Sequence, residues 1–150
     1  MRLTLHTDYA LRTLIFLGLH QERRVSIHEI ADAYGISENH LMKVIQKLGR
    51  PDGFIETTRG RGGGLRLARA PDKIRLDDVV RYTEEDMAIV ACFQQAKDHE
   101  ACVLTGYCGL QSILGEALAA FLAVLQRYTL ADLLSSPDRA QIMRLLTPSS

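Results

Sequence analysis

The chain has 150 residues, 47% of them hydrophobic, and 18 Lys/Arg balance 18 Asp/Glu. That length fits one compact domain or a small domain with a long appendage. No apolar run reaches the roughly 20 residues that span a bilayer. The apolar N-terminus carries Asp8 and Arg12 and lacks a small-residue cleavage site, so the sequence reads as cytoplasmic, with no signal peptide and no membrane partner.

Charge is unevenly spread. Residues 1–75 hold 13 Lys/Arg against 8 Asp/Glu, and residues 76–150 hold 5 against 10. A basic N-terminal half suits nucleic acid, whose phosphates dominate affinity. Ordinary solvated surface gives the same asymmetry, so charge alone does not decide.

The first helix runs from about Asp8 to His20. Leu11, Leu14, Ile15 and Gly18 fall at helical spacing, and Thr7 or Asp8 stands where a cap is needed. "SIHEIADAYG" is the second helix. Ser26 and Glu29 have capping-box spacing, Ile27, Ile30 and Ala31 form the inner face, and Gly35 ends it. "SENHLMKVIQKLG" is the third, with Ser37 as N-cap and Leu41, Val44, Ile45 and Leu48 as its apolar stripe. Two helices joined by a tight glycine-containing turn form a helix-turn-helix, whose second helix enters the major groove. Ser37, Asn39, His40, Lys43 and Lys47 are the candidate contacts. A polar outer face is equally what any two-helix hairpin shows.

"GFIETTRGRGGGLRLAR" favours the DNA-binding reading. Strands at Phe54 to Thr58 and Leu65 to Ala68 flank a tip with Arg59 and Arg61 among Gly60 and Gly62 to Gly64. Arginine suits a narrow, electronegative minor groove. A nucleotide phosphate loop needs a helix and a lysine after the glycines, and a strand follows here instead. The expected fold is mostly α with a small β wing. A winged helix-turn-helix domain spans 1–83, with its wing at about 54–68.

"APDKIRLDDVVRYTEED" reads as a turn at Pro71-Asp72 and a short helix, Leu76 to Thr83. The second unit, 84–150, opens with a cysteine loop (92–108). A long helix follows, from about Gly109 to Tyr128. Leu110, Ile113, Leu114, Ala117, Leu118, Phe121, Leu122 and Leu125 give it a broad apolar stripe. That is more than a small winged domain covers, which points to a homodimer built on this helix. "TLADLL" starts a final helix, capped by Thr129 or Asp132. Pro137 then interrupts the pattern, and the C-terminal tail reads as frayed.

All three cysteines, Cys92, Cys102 and Cys108, lie in "ACFQQAKDHEACVLTGYCGL". In a reducing compartment such a cluster is metal-binding or redox-sensing rather than a disulfide framework. Buried free cysteine does not predict three thiols in one polar loop. Zinc with His99 as fourth ligand lacks the usual close cysteine pair. An iron–sulfur cluster takes thiolates, with a different ligand allowed at one position. Composition leaves zinc and iron–sulfur both open. No paired carboxylates flank a nucleophile and no Ser/His/Asp arrangement is evident, so the sequence does not read as an enzyme.

Taken together, "MRLTLHTDYALRTLIFL", the helix pair, "TRGRGGGLRLAR", "IRLDDVVRYTE", three cysteines before a long helix, and "YTLADLL" resemble the Rrf-two family of bacterial winged-helix regulators. The likeness runs from Met1 to about Leu134. It implies a homodimeric repressor on a palindromic DNA operator, with an iron–sulfur cluster held by Cys92, Cys102 and Cys108. The cluster would be 4Fe–4S, with 2Fe–2S as the alternative. One branch of the family carries a histidine three residues after the last cysteine; here that residue is Gln111. The nitric-oxide-sensing branch instead takes a carboxylate near the N-terminus of the other subunit, which matches Asp8 in "HTDYA". The competing role for Asp8 is helix capping.

The gap from Cys92 to Cys102 is longer than the family's usual one, and His99 and Glu100 inside it are local alternatives to Asp8. Pro51, directly after the reading helix, stops that helix early. "TEEDMAIVACF" also resembles an iron-responsive branch. Iron or cluster status is therefore the alternative signal, and a cluster-free thiol redox regulator is a third reading.

Overall fold

The computed structural model describes residues 2–93, 103–104, 107–135 and 137–147. Cys102, His99 and Glu100 lie outside the described residues. Seven helices and one two-stranded antiparallel sheet are present among the described residues, the mostly α architecture with a small wing that the sequence leads one to expect.

Helix α1 spans Leu5–Leu19. It starts earlier than its apolar periodicity implies, because Thr4 caps it: the Thr7 N–H donates to Thr4 Oγ1 at 3.3 Å. This corrects the capping role of Thr7 and Asp8. Asp8 sits inside the first turn and pairs with Arg12 one turn on, at 2.9 Å. Thr7 is fully buried and bonds elsewhere.

Helix α2 (Ile27–Tyr34) opens on the Ser26–Glu29 capping box and closes at Gly35, whose φ of 63° is left-handed. Helix α3 (Glu38–Leu48) opens on Ser37 and ends at Gly49. Strand β1 (Ile55–Thr58) pairs with β2 (Gly64–Leu67) in the register Ile55 to Leu67 and Thr57 to Leu65. Val25 exchanges both backbone hydrogen bonds with Leu65, at 3.0 and 2.8 Å. The hairpin is thereby tied to the segment that enters α2.

Helix α4 (Leu76–Thr83) follows a 3-10 turn at Pro71–Lys73. Helix α5 (Gly109–Gln126) leaves the core and packs on α4. The chain returns after it through hydrogen bonds from Leu76 to Tyr128 and from Leu130 to Ile74, at 3.0 and 2.8 Å. Helix α6 (Leu130–Leu134) then packs on α1, with Leu134 against the open side of Gly18.

The tail is not frayed throughout. Helix α7 (Arg139–Leu146) resumes after Pro137 and returns to α2. Leu146 is buried, and Ile142 and Met143 pack on the core. These three residues share one helical face, so covering them against the core outweighs the break at the proline. The core itself gathers Leu14 and Leu17 of α1, Ile30 of α2, Leu41 and Leu48 of α3, Ile74, Val79 and Leu130.

Helix α5 is the exception to this burial. Only Leu122 of its 18 residues is buried, while Leu110 and Ile113 are 60% and 65% exposed. With a mean hydropathy of 1.4, it is long and apolar enough to cross a membrane, by length and composition only. That corrects the expectation that no segment of the chain has this character.

Candidate nucleic-acid interface and sensing site

The outer face of α3 presents Asn39, His40 and Lys43, all exposed. Spacing puts Met42, 47% exposed, beside Asn39 and Lys43 on that face. Sequence reasoning passed over Met42, although an apolar side chain there could meet a thymine methyl. Ser37 serves chiefly as the cap, accepting the His40 N–H at 3.3 Å. Lys47, one turn beyond Lys43, is half-buried and its ammonium donates to the Thr83 carbonyl of α4 at 3.0 Å. Arg59 and Arg61 are exposed at the wing tip.

The glycines between and after these arginines are needed for two reasons. Gly62 has a φ of 77°, which L side chains rarely adopt. At Gly63 a Cβ would lie 2.3 Å from the Thr58 carbonyl oxygen. Below the tip, Arg66 pairs across the strands with Glu56 at 2.6 Å. Arg69 folds back over the Phe54 ring at 5.0 Å and donates to the Gly53 carbonyl at 2.8 Å. These two arginines serve the hairpin, and the tip pair stays exposed.

A third feature was not legible in the sequence. Thr83, at the end of α4, is buried and joins three helices. The Thr7 hydroxyl of α1 donates to Thr83 Oγ1 at 2.9 Å, and Thr83 Oγ1 donates to the Val79 carbonyl at 2.7 Å. Its own carbonyl takes the Lys47 ammonium of α3. Next door, the Tyr82 hydroxyl donates to the Lys47 carbonyl at 2.8 Å. Burial, with Asp52 beside it, raises the Tyr82 hydroxyl above its ordinary value and keeps it a donor. Glu84 continues the junction by accepting from the Thr4 N–H at 2.8 Å. His6 lines the same cleft, about 480 Å³ in volume, with Lys47 and Glu85. Burial, then the Lys47 charge, lowers the His6 value.

The segment leaving this junction leads to Cys92, exposed in the 3-10 turn Ala91–Phe93. Cys108 is half-buried at the N-cap of α5 and makes no capping hydrogen bond there. Both described thiols are free. Asp8, 41% exposed at its side chain, keeps its carboxylate accessible beside Arg12. The Arg12 guanidinium in turn lies 5.8 Å from the centre of the Tyr34 ring on α2. Among the described residues, no three His, Cys, Asp or Glu side chains form a metal-binding group within one chain. Asp8, Cys92 and Cys108 are therefore not brought together by this chain alone.

A helix-turn-helix with a basic, glycine-rich wing, followed by one long uncovered helix, defines the winged-helix class of DNA-binding regulators. The family model Rrf2 (Rrf-two), described as iron-dependent transcriptional regulator, matches residues 3–136, and the chain belongs to this family. It is 52% identical to the HTH-type transcriptional regulator NsrR of Geobacillus kaustophilus over 97% of both chains. It is 51% identical to the regulator of the same name from Bacillus subtilis, again over 97% of both. Among solved structures it resembles CymR, the global cysteine regulator of B. subtilis, with a TM-score of 0.70 and 26% identity over 90% of this chain and 97% of that one. The protein is a transcriptional regulator and not an enzyme.

Proposed function

We propose that the chain is a homodimeric repressor that leaves a palindromic operator when an iron–sulfur cluster reacts with nitric oxide. The reading units are residues 1–83, with Asn39, His40 and Lys43 in the major groove and Arg59 and Arg61 in the minor groove. Residues 84–150 supply the cysteine loop and the dimerisation helix α5. With operator DNA as its partner, the protein acts in the cytoplasm.

The observation that carries this reading is the Thr83 junction. The segment bearing Cys92 starts where α4 is bonded to α1 through Thr7 and to α3 through Lys47. A change at the cysteines therefore pulls on a connecting segment whose other end is hydrogen-bonded to the reading helix. The donor set fits a cluster: two free thiols flank Cys102, and Asp8 of the partner subunit offers an accessible carboxylate. When bound, a 4Fe–4S cluster supplies iron that reacts with nitric oxide. Asp8 has a standing partner in Arg12, so its carboxylate stays paired whenever it is released from another bond.

The test uses protein purified without oxygen. It is expected to be brown, to contain iron and sulfide, and to lose its operator complex on titration with nitric oxide. Asp8→Ala is expected to fold, because Thr4 is the cap, and to alter the spectrum and the reaction with nitric oxide. Colourless protein with stoichiometric zinc would overturn the cluster reading. A spectrum and rate unchanged by Asp8→Ala would remove Asp8 from the ligand set.

A further inference from the structure

The helix-turn-helix carries on its outer surface a histidine set between two carboxylates. His28 lies on α2. Its Nδ1 is 2.8 Å from Oε1 of Glu38, the first residue of α3, and its Nε2 is 3.2 Å from Oδ2 of Asp32, one turn further along α2. Neutral imidazole has one N–H and one lone pair. It can donate to one of these carboxylates but must turn a lone pair to the other. Only the imidazolium donates to both. The carboxylates meet opposite ring nitrogens, so the three groups do not converge on a metal position, in keeping with the absence of any such group among the described residues.

We propose that His28 is a positioning residue for DNA recognition: as imidazolium it ties the start of α3 to α2 through Glu38 and offsets the negative charge beside Asn39 and His40. The inference rests on α3 being the reading helix. Once the ring loses its proton, Glu38 stands as an uncompensated carboxylate at the end of α3 that meets phosphates. Operator affinity therefore falls as pH rises. Proton binding and DNA binding are reciprocal, each strengthening the other.

The Glu38 hydrogen bond, then the Asp32 charge, raises His28 above its ordinary value of 6.5. Glu29 of the same helix acts in the same direction and is itself paired with Arg23 at 2.7 Å. Arg12 and Arg144, on elements packed against or near α2, have other partners. Arg12 of α1 engages Asp8 and the Tyr34 ring. Helix α7 also packs on α2 and carries Arg139 and Arg144, of which Arg144 turns to the Ala140 carbonyl. The same linkage acts on folding. Because the folded-state value is raised, the clasp's contribution is complete below the unfolded value and is lost as pH rises through the folded one.

The experiment takes the full chain, prepared without oxygen, and a duplex that it selects from random sequence. Affinity is measured at fixed salt from about pH 6 to about pH 8.5. The wild type is expected to weaken by about fivefold across that range. His28→Gln is expected to bind weakly with a flatter profile, and His28→Lys, charged throughout, to bind tightly at both ends. A wild-type pH slope retained in His28→Gln overturns the proposal. So does an NMR titration of the His28 ring that Glu38→Gln leaves unmoved. If no duplex is selected while the ring still titrates with Glu38, α3 is not the reading helix and the proposal falls with that assignment, a failure distinct from the loss of the clasp.

Discussion

Thr83 shows how one side chain can hold a joint. Its hydroxyl accepts from Thr7 and donates to Val79, while its carbonyl takes the Lys47 ammonium. Thr83→Val keeps the shape but removes the hydroxyl, leaving the buried Thr7 hydroxyl without that acceptor. The expected cost is about 1–3 kcal/mol, read from urea denaturation. The variant is also expected to respond less to nitric oxide at the operator than its cluster content warrants. A full response with the stability loss alone would make the junction structural only. Asp8 teaches the complementary point at this scale. Its position in the first turn suits either capping or ligation, and only the placement of Thr4 one turn earlier frees it from the first.

Among the elements, α5 departs most from a self-contained fold. Its apolar stripe is read directly from Leu110 to Leu125, but its exposure is known only once α4 is seen to cover one side. Leu110 and Ile113 remain 60% and 65% exposed, and a second copy of the helix would bury them at about 25 cal/mol per Å² of apolar surface. Ile113→Glu is therefore expected to yield monomer in sedimentation experiments and to weaken operator binding, since half-sites are then read singly. A dimer unchanged by this substitution would move the interface off α5. Helix α7 makes the opposite case. Pro137 hid it in the sequence, because a local break says nothing about whether Ile142, Met143 and Leu146 will find the core.

For the molecule as a whole, balanced net charge conceals a basic first half and an acidic second half. The wing tip concentrates that basic charge at Arg59 and Arg61, both free of the strand pairings that occupy Arg66 and Arg69. Arg61→Ala is expected to weaken binding to all sequences alike and to reduce the salt slope of operator affinity by about 1. An unchanged slope would take the wing out of the interface.

Much of this was legible in the chain. Capping boxes, helical stripes and the glycine-rich tip are short-range signals, so α2, α3, α4 and the hairpin were read closely from spacing. The three-cysteine segment was equally plain, because residue identity alone sets thiol chemistry. The tertiary structure decided which polar groups meet. It bonded the Lys47 ammonium to the Thr83 carbonyl, set His28 between Glu38 and Asp32, folded α7 onto α2 and left α5 uncovered. Those outcomes depend on hydrogen bonds and packing between residues far apart in sequence. Local periodicity carries no information about such partners until the core has closed.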